Sequence, residues 1–269
     1  MSKWIEAICE TKGIKIHYAK TGGRKPSLVL LHGLAGNGAC WTPLAHALED
    51  EYDVVMPDAR GHGKSSSPDE GYRYEELASD VVGLIKSLGL SSPFLLGHSM
   101  GGLTAAVVAS LQPNLLRGVI LADPTFLSQE FQRQVFESDV ADQHRQTLKK
   151  SVDELVAEAR LRHPHRPSKT LELIARARLQ TSAAAFDILT PPNPDYVKLV
   201  REIEARTLLV IANGGVVSPE VAAELQRVNP RIRVEQILEA GHGLQYDQPD
   251  RFAAVVKLFL SSISVEKVS

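Results

Sequence analysis

Short apolar runs alternate with amphipathic segments along most of this 269-residue chain. Residues 27–31 and 52–57 are mostly apolar on both faces, whereas residues 74–88 repeat their apolar side chains at helical spacing. Strands that are apolar on both faces belong to a parallel sheet with helices on both sides. Residues 5–10 and 14–19, joined by a short turn, predict an initial hairpin. We therefore predict an α/β fold with a mostly parallel, eight-stranded sheet flanked by helices.

The alternation of strand and helix patterns stops in one long segment, residues 124–203. The segment is polar, rich in arginine and without a convincing strand. Ser151 and Glu154 form a capping-box pair that predicts a helix start within it. The chain is also long for one simple domain. We predict an α/β core from residues 1–123 and 204–269, with 124–203 inserted as a helical cap.

Charge and composition give no reason to expect several kinds of partner. The formal net charge of −2 gives no reason to expect nucleic acid or an anionic membrane surface. The N-terminus lacks the apolar stretch of a signal peptide, and no run reaches transmembrane length. Cys9 and Cys40 are the only cysteines, and we interpret both as buried thiols. We expect a soluble cytoplasmic protein without disulfides.

The pentapeptide Gly97-His98-Ser99-Met100-Gly101 carries the strongest functional signal. It lies between an apolar run and a helical segment of small residues. A Gly-x-Ser-x-Gly sequence in that setting is typical of a nucleophile elbow, a tight turn that exposes the serine hydroxyl. The start of the helix directs N–H groups and the positive end of its dipole toward that hydroxyl. Ser99 is the candidate nucleophile, and the alternative is a purely structural turn.

Three further motifs accompany this pentapeptide. They are His32-Gly33-Leu34-Ala35-Gly36, the segment 58–65, and Ala240-Gly241-His242. With its motifs in this order, the chain resembles the α/β-hydrolase superfamily, in its capped serine-hydrolase branch, over nearly its whole length. The resemblance implies an oxyanion hole built from the Leu34 and Met100 N–H groups, with Gly33 close to the substrate. The alternative is that these glycines only turn the chain.

His242 is the candidate general base. It follows the predicted strand 233–237 and precedes the last helix. It therefore lies at the carboxyl edge of the sheet, where Ser99 also emerges.

The other polar residues near these motifs have a structural interpretation. We expect His98 to be packed, and His32 and His62 to brace their loops through hydrogen bonds. The resemblance likewise implies that the segment 58–65 ties loops together behind the active site. His163-Pro-His165 has no carboxylates nearby in sequence, so we predict neither a metal site nor an organic cofactor.

The acid that would orient His242 is missing from its commonest place in the superfamily. That place is three residues before a Val-x-Pro, and here the count lands on Gly214, between Asn213 and Gly215. Without an acid, the histidine would lack both its tautomer lock and a counter-charge.

Asp123 is the candidate acid. It ends the predicted strand 118–121 and so places a carboxylate at the edge that carries Ser99 and His242. One alternative is that Asp123 only caps the turn into the inserted segment. Asp247, five residues after His242, is a weaker rival.

Substrate contacts are expected from the inserted segment. Phe126 and Leu127 are candidate substrate-binding residues, consistent with an apolar or aromatic acyl compound, although helix packing explains them equally well.

The leading hypothesis is a serine hydrolase that cleaves a small carboxylic ester or lactone. Ser99, His242 and Asp123 would act as a triad through an acyl-serine intermediate. Hydrolysis of a carbon–carbon bond beside a ketone would use the same residues and stays open. A hypothesis from another functional class is a weakly catalytic small-molecule receptor of the same fold. The lack of an acid at residues 213–215 favours it.

Overall fold

A computed structural model describes residues 4–265, which contain one eight-stranded sheet. The strands are β1 (Ile5–Thr11), β2 (Ile14–Lys20), β3 (Ser27–Leu31), β4 (Asp53–Pro57), β5 (Phe94–His98), β6 (Gly118–Ala122), β7 (Arg206–Gly214) and β8 (Ile232–Gly241). Residues 1–3 and 266–269, which belong to the predicted core, lie outside the described residues.

The sheet has the strand order β1-β2-β4-β3-β5-β6-β7-β8. β2 is antiparallel to both β1 and β4, and all other neighbours are parallel. On β3, Leu28 and Leu30 join one apolar cluster, and Val29 and Leu31 join another. Successive side chains of a strand point to opposite faces, so the sheet has a core on each side. The predicted fold class is confirmed.

Helices cover both faces of the sheet. A 3₁₀ turn at Gly38–Trp41 precedes the first α-helix, and a second spans Ala183–Leu189. The α-helices are α1 (Thr42–Leu48), α2 (Tyr74–Ser87), α3 (Met100–Leu111), α4 (Gln129–Glu137), α5 (Val140–Thr147), α6 (Val152–Arg162), α7 (Ser168–Leu179), α8 (Tyr196–Glu202), α9 (Pro219–Val228), α10 (Leu244–Asp247) and α11 (Pro249–Val265).

The segment between β6 and β7 is helical. Residues 124–203 hold α4 to α8 and the second 3₁₀ helix, and no strand. α6 begins with the predicted capping box, in which the Glu154 N–H donates to Ser151 Oγ at 3.2 Å and the Ser151 N–H donates to Glu154 Oε2 at 2.7 Å. α6 and α7 pack against each other, and α7 also contacts residues 38–41 of the core. The role of this segment as a cap stays a prediction.

The C-terminal end of α7 is bonded to the core. Asn37 Nδ2 donates to Gln180 Oε1 at 2.8 Å, and the Gly63 N–H donates to the Gln180 carbonyl at 2.9 Å. The Ser182 N–H donates to the Gly61 carbonyl at 2.7 Å. These three bonds fix the last turn of α7 over the loops that follow β3 and β4.

Buried polar contacts hold the loop after β4. Asp58 Oδ1 accepts from the Gly38 N–H at 2.8 Å. Arg60 donates from Nε and Nη2 to the Asp80 carboxylate at 2.6 and 2.7 Å, and each side chain is only 8% exposed. Burial raises the pKa of Asp80, and the Arg60 guanidinium opposes that shift. The structural role predicted for segment 58–65 fits these contacts.

Two further findings concern the cysteines and the helices of the described chain. Cys9 and Cys40 are both buried and free. None of the helices between residues 4 and 265 combines the length and the apolar character needed to cross a bilayer.

We expect Arg60→Leu to lower the free energy of unfolding by about 3–5 kcal/mol, because it leaves the Asp80 carboxylate buried without its partner. The double variant Arg60→Leu/Asp80→Leu should lose less, since no unpaired charge remains. Arg176→Gln, which breaks an exposed pair with Glu172, is the control and should cost less than about 1 kcal/mol. Urea unfolding measures all three, and equal losses in the single and double variants would contradict this account.

Candidate active site

Ser99 lies in a strained turn between β5 and α3. Its φ is 55°, a conformation that non-glycine residues rarely adopt, and its side chain is buried. A Cβ on Gly97 would overlap the Gly101 backbone, and one on Gly101 would overlap the Leu31 carbonyl. Both flanking glycines are therefore required by close backbone approach, as the elbow pattern predicts.

The structure brings the three candidate triad residues together. His242 Nε2 lies 2.8 Å from Ser99 Oγ, and His242 Nδ1 lies 2.6 Å from Asp123 Oδ2. Ser99 and Asp123 follow the adjacent strands β5 and β6, and His242 follows β8. The carboxylate accepts the Nδ1–H, which leaves Nε2 free to accept the serine proton.

Asp123 is held by the loop that follows β7. This is the loop in which the superfamily most commonly carries its acid, and here that position is Gly214. The Val216 N–H donates to the two carboxylate oxygens at 3.0 and 2.8 Å, and the Val217 N–H donates to Oδ1 at 3.0 Å. Asp123 is fully buried, so it depends on these donors and on His242. A Cβ on Gly215 would lie 2.7 Å from both carboxylate oxygens. This loop lacks a side chain at 215 because the carboxylate of Asp123 fills that space.

The rival acid has other partners. Asp247 Oδ1 accepts from Arg166 Nε at 2.7 Å, and its Oδ2 accepts from the Gly241 N–H at 3.0 Å. Asp247 therefore holds the inserted segment and the loop of His242, and its carboxylate makes no bond to the imidazole.

The two predicted oxyanion donors border the serine. Met100 is the first residue of α3, where an N–H has no acceptor inside the helix. The loop of Leu34 comes so close that a Cβ on Gly33 would lie 3.0 Å from the Ser99 Cβ. Among the described residues, no protein acceptor bonds the Leu34 N–H. Both groups are available to a developing oxyanion, and this role stays a prediction.

Neutral buried histidines brace the loops around the serine. His98 Nε2–H donates to the His242 carbonyl at 2.7 Å, and the Ala35 N–H donates to His62 Nε2 at 3.3 Å. Burial lowers the pKa of His98 and of His62 to about 3, so both stay uncharged. His32 Nδ1–H donates to the Gly33 carbonyl at 2.8 Å. The packed and bracing roles expected for these histidines agree with these bonds.

A cavity of about 320 Å³ opens above Ser99 and His242. Gly33 and Leu34 line it, as do three cationic or titratable residues of the inserted segment, namely His163, Arg166 and Arg178. No group of three or more His, Cys, Asp or Glu suited to a metal ion occurs in residues 4–265.

Phe126 and Leu127 do not line this cavity, so the structure does not support them as substrate contacts. Phe126 is buried and stacks on Tyr196 with ring centroids 4.9 Å apart. It belongs to the apolar core on one face of the sheet. The packing explanation holds for Phe126, and the inserted segment lines the cavity with Arg166, Arg178, His163 and Ile174 instead.

Comparison with known proteins identifies the family. A family model described as alpha/beta hydrolase fold matches residues 26–249. The chain belongs to the alpha/beta hydrolase fold family. The resemblance drawn from its motifs, and the assignment as a hydrolase, are confirmed.

Two curated relatives cover nearly the whole of this alpha/beta hydrolase. It is 31% identical over 254 residues to N-formylmaleamate deformylase of Pseudomonas putida, spanning 92% of this chain and 93% of that protein. It is 26% identical over 251 residues to 2-(acetamidomethylene)succinate hydrolase of Mesorhizobium japonicum, spanning 89% and 90%. A crystal structure of E-2-(acetamidomethylene)succinate hydrolase shares the fold, with a TM-score of 0.84 and 24% identity over 96% of this chain and 100% of that one.

Sequence reasoning missed Arg166 and Arg178 as residues of the cavity. The one available signal was the arginine content of residues 124–203, which does not say which arginines face the serine. Helical spacing gives a face for each helix, but the partner of that face is set by tertiary packing.

Gly215→Ala should lower the turnover of p-nitrophenyl acetate by about 10²-fold, because the new methyl group displaces Asp123 from His242. Gly214→Ala is the matched control, since its Cβ meets its nearest neighbours at an ordinary 3.4 Å. Turnover and the melting temperature are measured for both variants. An equal effect of the two substitutions on turnover would show that the position of the Asp123 carboxylate does not matter.

Proposed function

We propose that this alpha/beta hydrolase cleaves a small carboxylic ester or lactone with Ser99 as nucleophile, His242 as base and Asp123 as acid. One observation carries the proposal. The two ring nitrogens of His242 join Ser99 Oγ to the Asp123 carboxylate through contacts of 2.8 and 2.6 Å. This is the arrangement that a serine needs in order to lose its proton during attack.

Each residue has a defined step. Ser99 Oγ attacks the substrate carbonyl while its proton passes to His242 Nε2, and the Asp123 carboxylate stabilises the resulting imidazolium. The Leu34 and Met100 N–H groups donate to the oxyanion. His242 then returns the proton to the leaving alcohol, which departs from the acyl-serine. Water, deprotonated by His242, releases the acid and restores Ser99.

We also propose that residues 124–203 act as a cap over this site. Arg166 and Arg178 line the same cavity as Ser99, and the last turn of α7 is bonded to core loops. Substrate therefore reaches the serine through a space with the sheet edge on one side and α6–α7 on the other.

Hydrolysis of an N-acyl bond is a second candidate. The names of the two curated relatives, a deformylase of N-formylmaleamate and a hydrolase of 2-(acetamidomethylene)succinate, favour it. The same residues would act on an amide carbonyl, with His242 giving its proton to the leaving nitrogen.

The two cysteines support a cytoplasmic location. Both are free thiols buried in the core, with no disulfide between them. Free thiols are usual where the compartment is reducing.

Ester hydrolysis is tested with p-nitrophenyl esters of increasing acyl length, and N-acyl hydrolysis with p-nitroformanilide. Ser99→Ala should reduce turnover by about 10⁶-fold, to near the background rate. Ser110→Ala, at the far end of α3, is the control and should keep full activity. Mass spectrometry of the quenched wild type should show an acyl adduct on the peptide that contains Ser99. Unchanged turnover in Ser99→Ala would exclude the serine mechanism. If no probe is turned over, a small-molecule receptor of the same fold is favoured instead.

Asp123→Asn should lower kcat by up to about 10⁴-fold while KM changes little, because the amide cannot stabilise the imidazolium. The stopped-assay rate and a thermal unfolding curve are measured together, with Asp247→Asn for comparison. Asp247 makes no bond to the imidazole, so its variant should keep more activity. A kcat for Asp123→Asn equal to that of the wild type would place the acid elsewhere.

A further inference from the structure

Three arginines of the inserted segment lie close together beside the cavity. Arg162 ends α6, Arg166 lies in the next loop, and Arg178 lies in the last turn of α7. Arg166 and Arg178 line the cavity that Ser99 and His242 also line. Among the described residues that line this cavity, Asp247 alone is acidic.

The charges of the two cavity arginines are balanced differently. Arg166 donates to Asp247 at 2.7 Å, and its guanidinium lies 5.5 Å from the centre of the Tyr246 ring. Arg178 makes no side-chain hydrogen bond or ion pair within the described residues. Burial lowers the pKa of Arg178, and the neighbouring Arg162 and Arg166 lower it further. Arg178 is therefore a partly buried cation whose strongest charged neighbours are two arginines, with Glu158 opposing them more weakly.

A guanidinium in this setting stays protonated, because its intrinsic pKa is far above neutrality. Its unpaired charge costs free energy, and a bound anion would offset that cost. The bonds of Gln180 and Ser182 to the core hold the end of α7, so Arg178 is presented by a fixed element. A preorganised donor fork loses little entropy when it binds a planar carboxylate.

We propose that Arg178 binds a carboxylate of the substrate, so that the enzyme acts on small acids that carry a second, cleavable acyl group. This inference rests on the proposed function, because it places the reacting carbonyl at Ser99. The cavity of about 320 Å³ suits a compact acid.

The test compares half-esters with their neutral counterparts. The substrates are the monomethyl and dimethyl esters of succinic, glutaric and adipic acids, and methanol release is measured. For at least one chain length, the wild type should have a kcat/KM at least tenfold higher for the monomethyl ester. Arg178→Gln should lose roughly 30-fold on that half-ester, mainly through KM, as expected for a charge-assisted bond. Its activity on the dimethyl ester should stay within twofold, which also shows that the variant folds.

Two further variants define the role of the charge. Arg178→Lys should recover part of the half-ester activity, because it keeps a positive charge but not the fork. Arg176→Gln, two residues earlier on α7 and paired with Glu172, should behave as the wild type on both esters. An Arg178→Gln enzyme that keeps the half-ester preference would overturn the proposal, and so would equal losses on both esters.

A binding measurement separates this inference from the proposed mechanism. Glutarate binding to the wild type, Ser99→Ala and Arg178→Gln proteins is measured by calorimetry, with inorganic phosphate as the alternative anion. Glutarate should bind the first two proteins alike and Arg178→Gln at least tenfold more weakly. Equal binding by all three proteins, or phosphate binding tighter than glutarate, would overturn the carboxylate site even if Ser99 proves catalytic. Loss of binding in Arg178→Gln together with full turnover in Ser99→Ala would refute only the serine mechanism.

Discussion

The site depends on holding one fully buried carboxylate in the correct place. Asp123 has no contact with solvent, so its oxygens must find donors within the protein. They find the Val216 and Val217 N–H groups and His242 Nδ1. Backbone N–H groups cannot leave the site as a mobile side chain can. The imidazole is therefore aligned by a partner that is itself anchored to the loop after β7.

Around this carboxylate, the sheet and the loops have different structural roles. Parallel strands deliver Ser99, Asp123 and His242 to one edge, and the backbone around each residue sets the final angle. Ser99 and Asp123 both have positive φ, so strain is concentrated at two residues of the candidate triad. Uncharged histidines such as His98 tie the surrounding backbone without adding charge beside His242. The scaffold around His242 therefore adds few charged groups to the site.

Much of the core was predictable because its signals are local. Apolar runs marked the strands, Ser151 and Glu154 marked a helix start, and the elbow glycines marked Ser99. Asp123 could be proposed as the acid only by eliminating the usual loop, since nothing in its own sequence neighbourhood distinguishes a catalytic acid from a turn cap. The walls of the cavity were not predictable. Phe126 packs into the core and Arg178 faces the cavity because of how α4 to α8 settle on the sheet, which no short pattern encodes.

The steric fit between Gly215 and the Asp123 carboxylate has an evolutionary consequence. Any side chain at position 215 would enter the volume of the aspartate carboxylate, which lies 2.7 Å from the site of the missing Cβ. A descendant of this protein that first enlarged residue 215 would therefore lose most of its activity at that step. The two positions are expected to change together or not at all, so a glycine at this position is expected in relatives that carry an aspartate after the sixth strand.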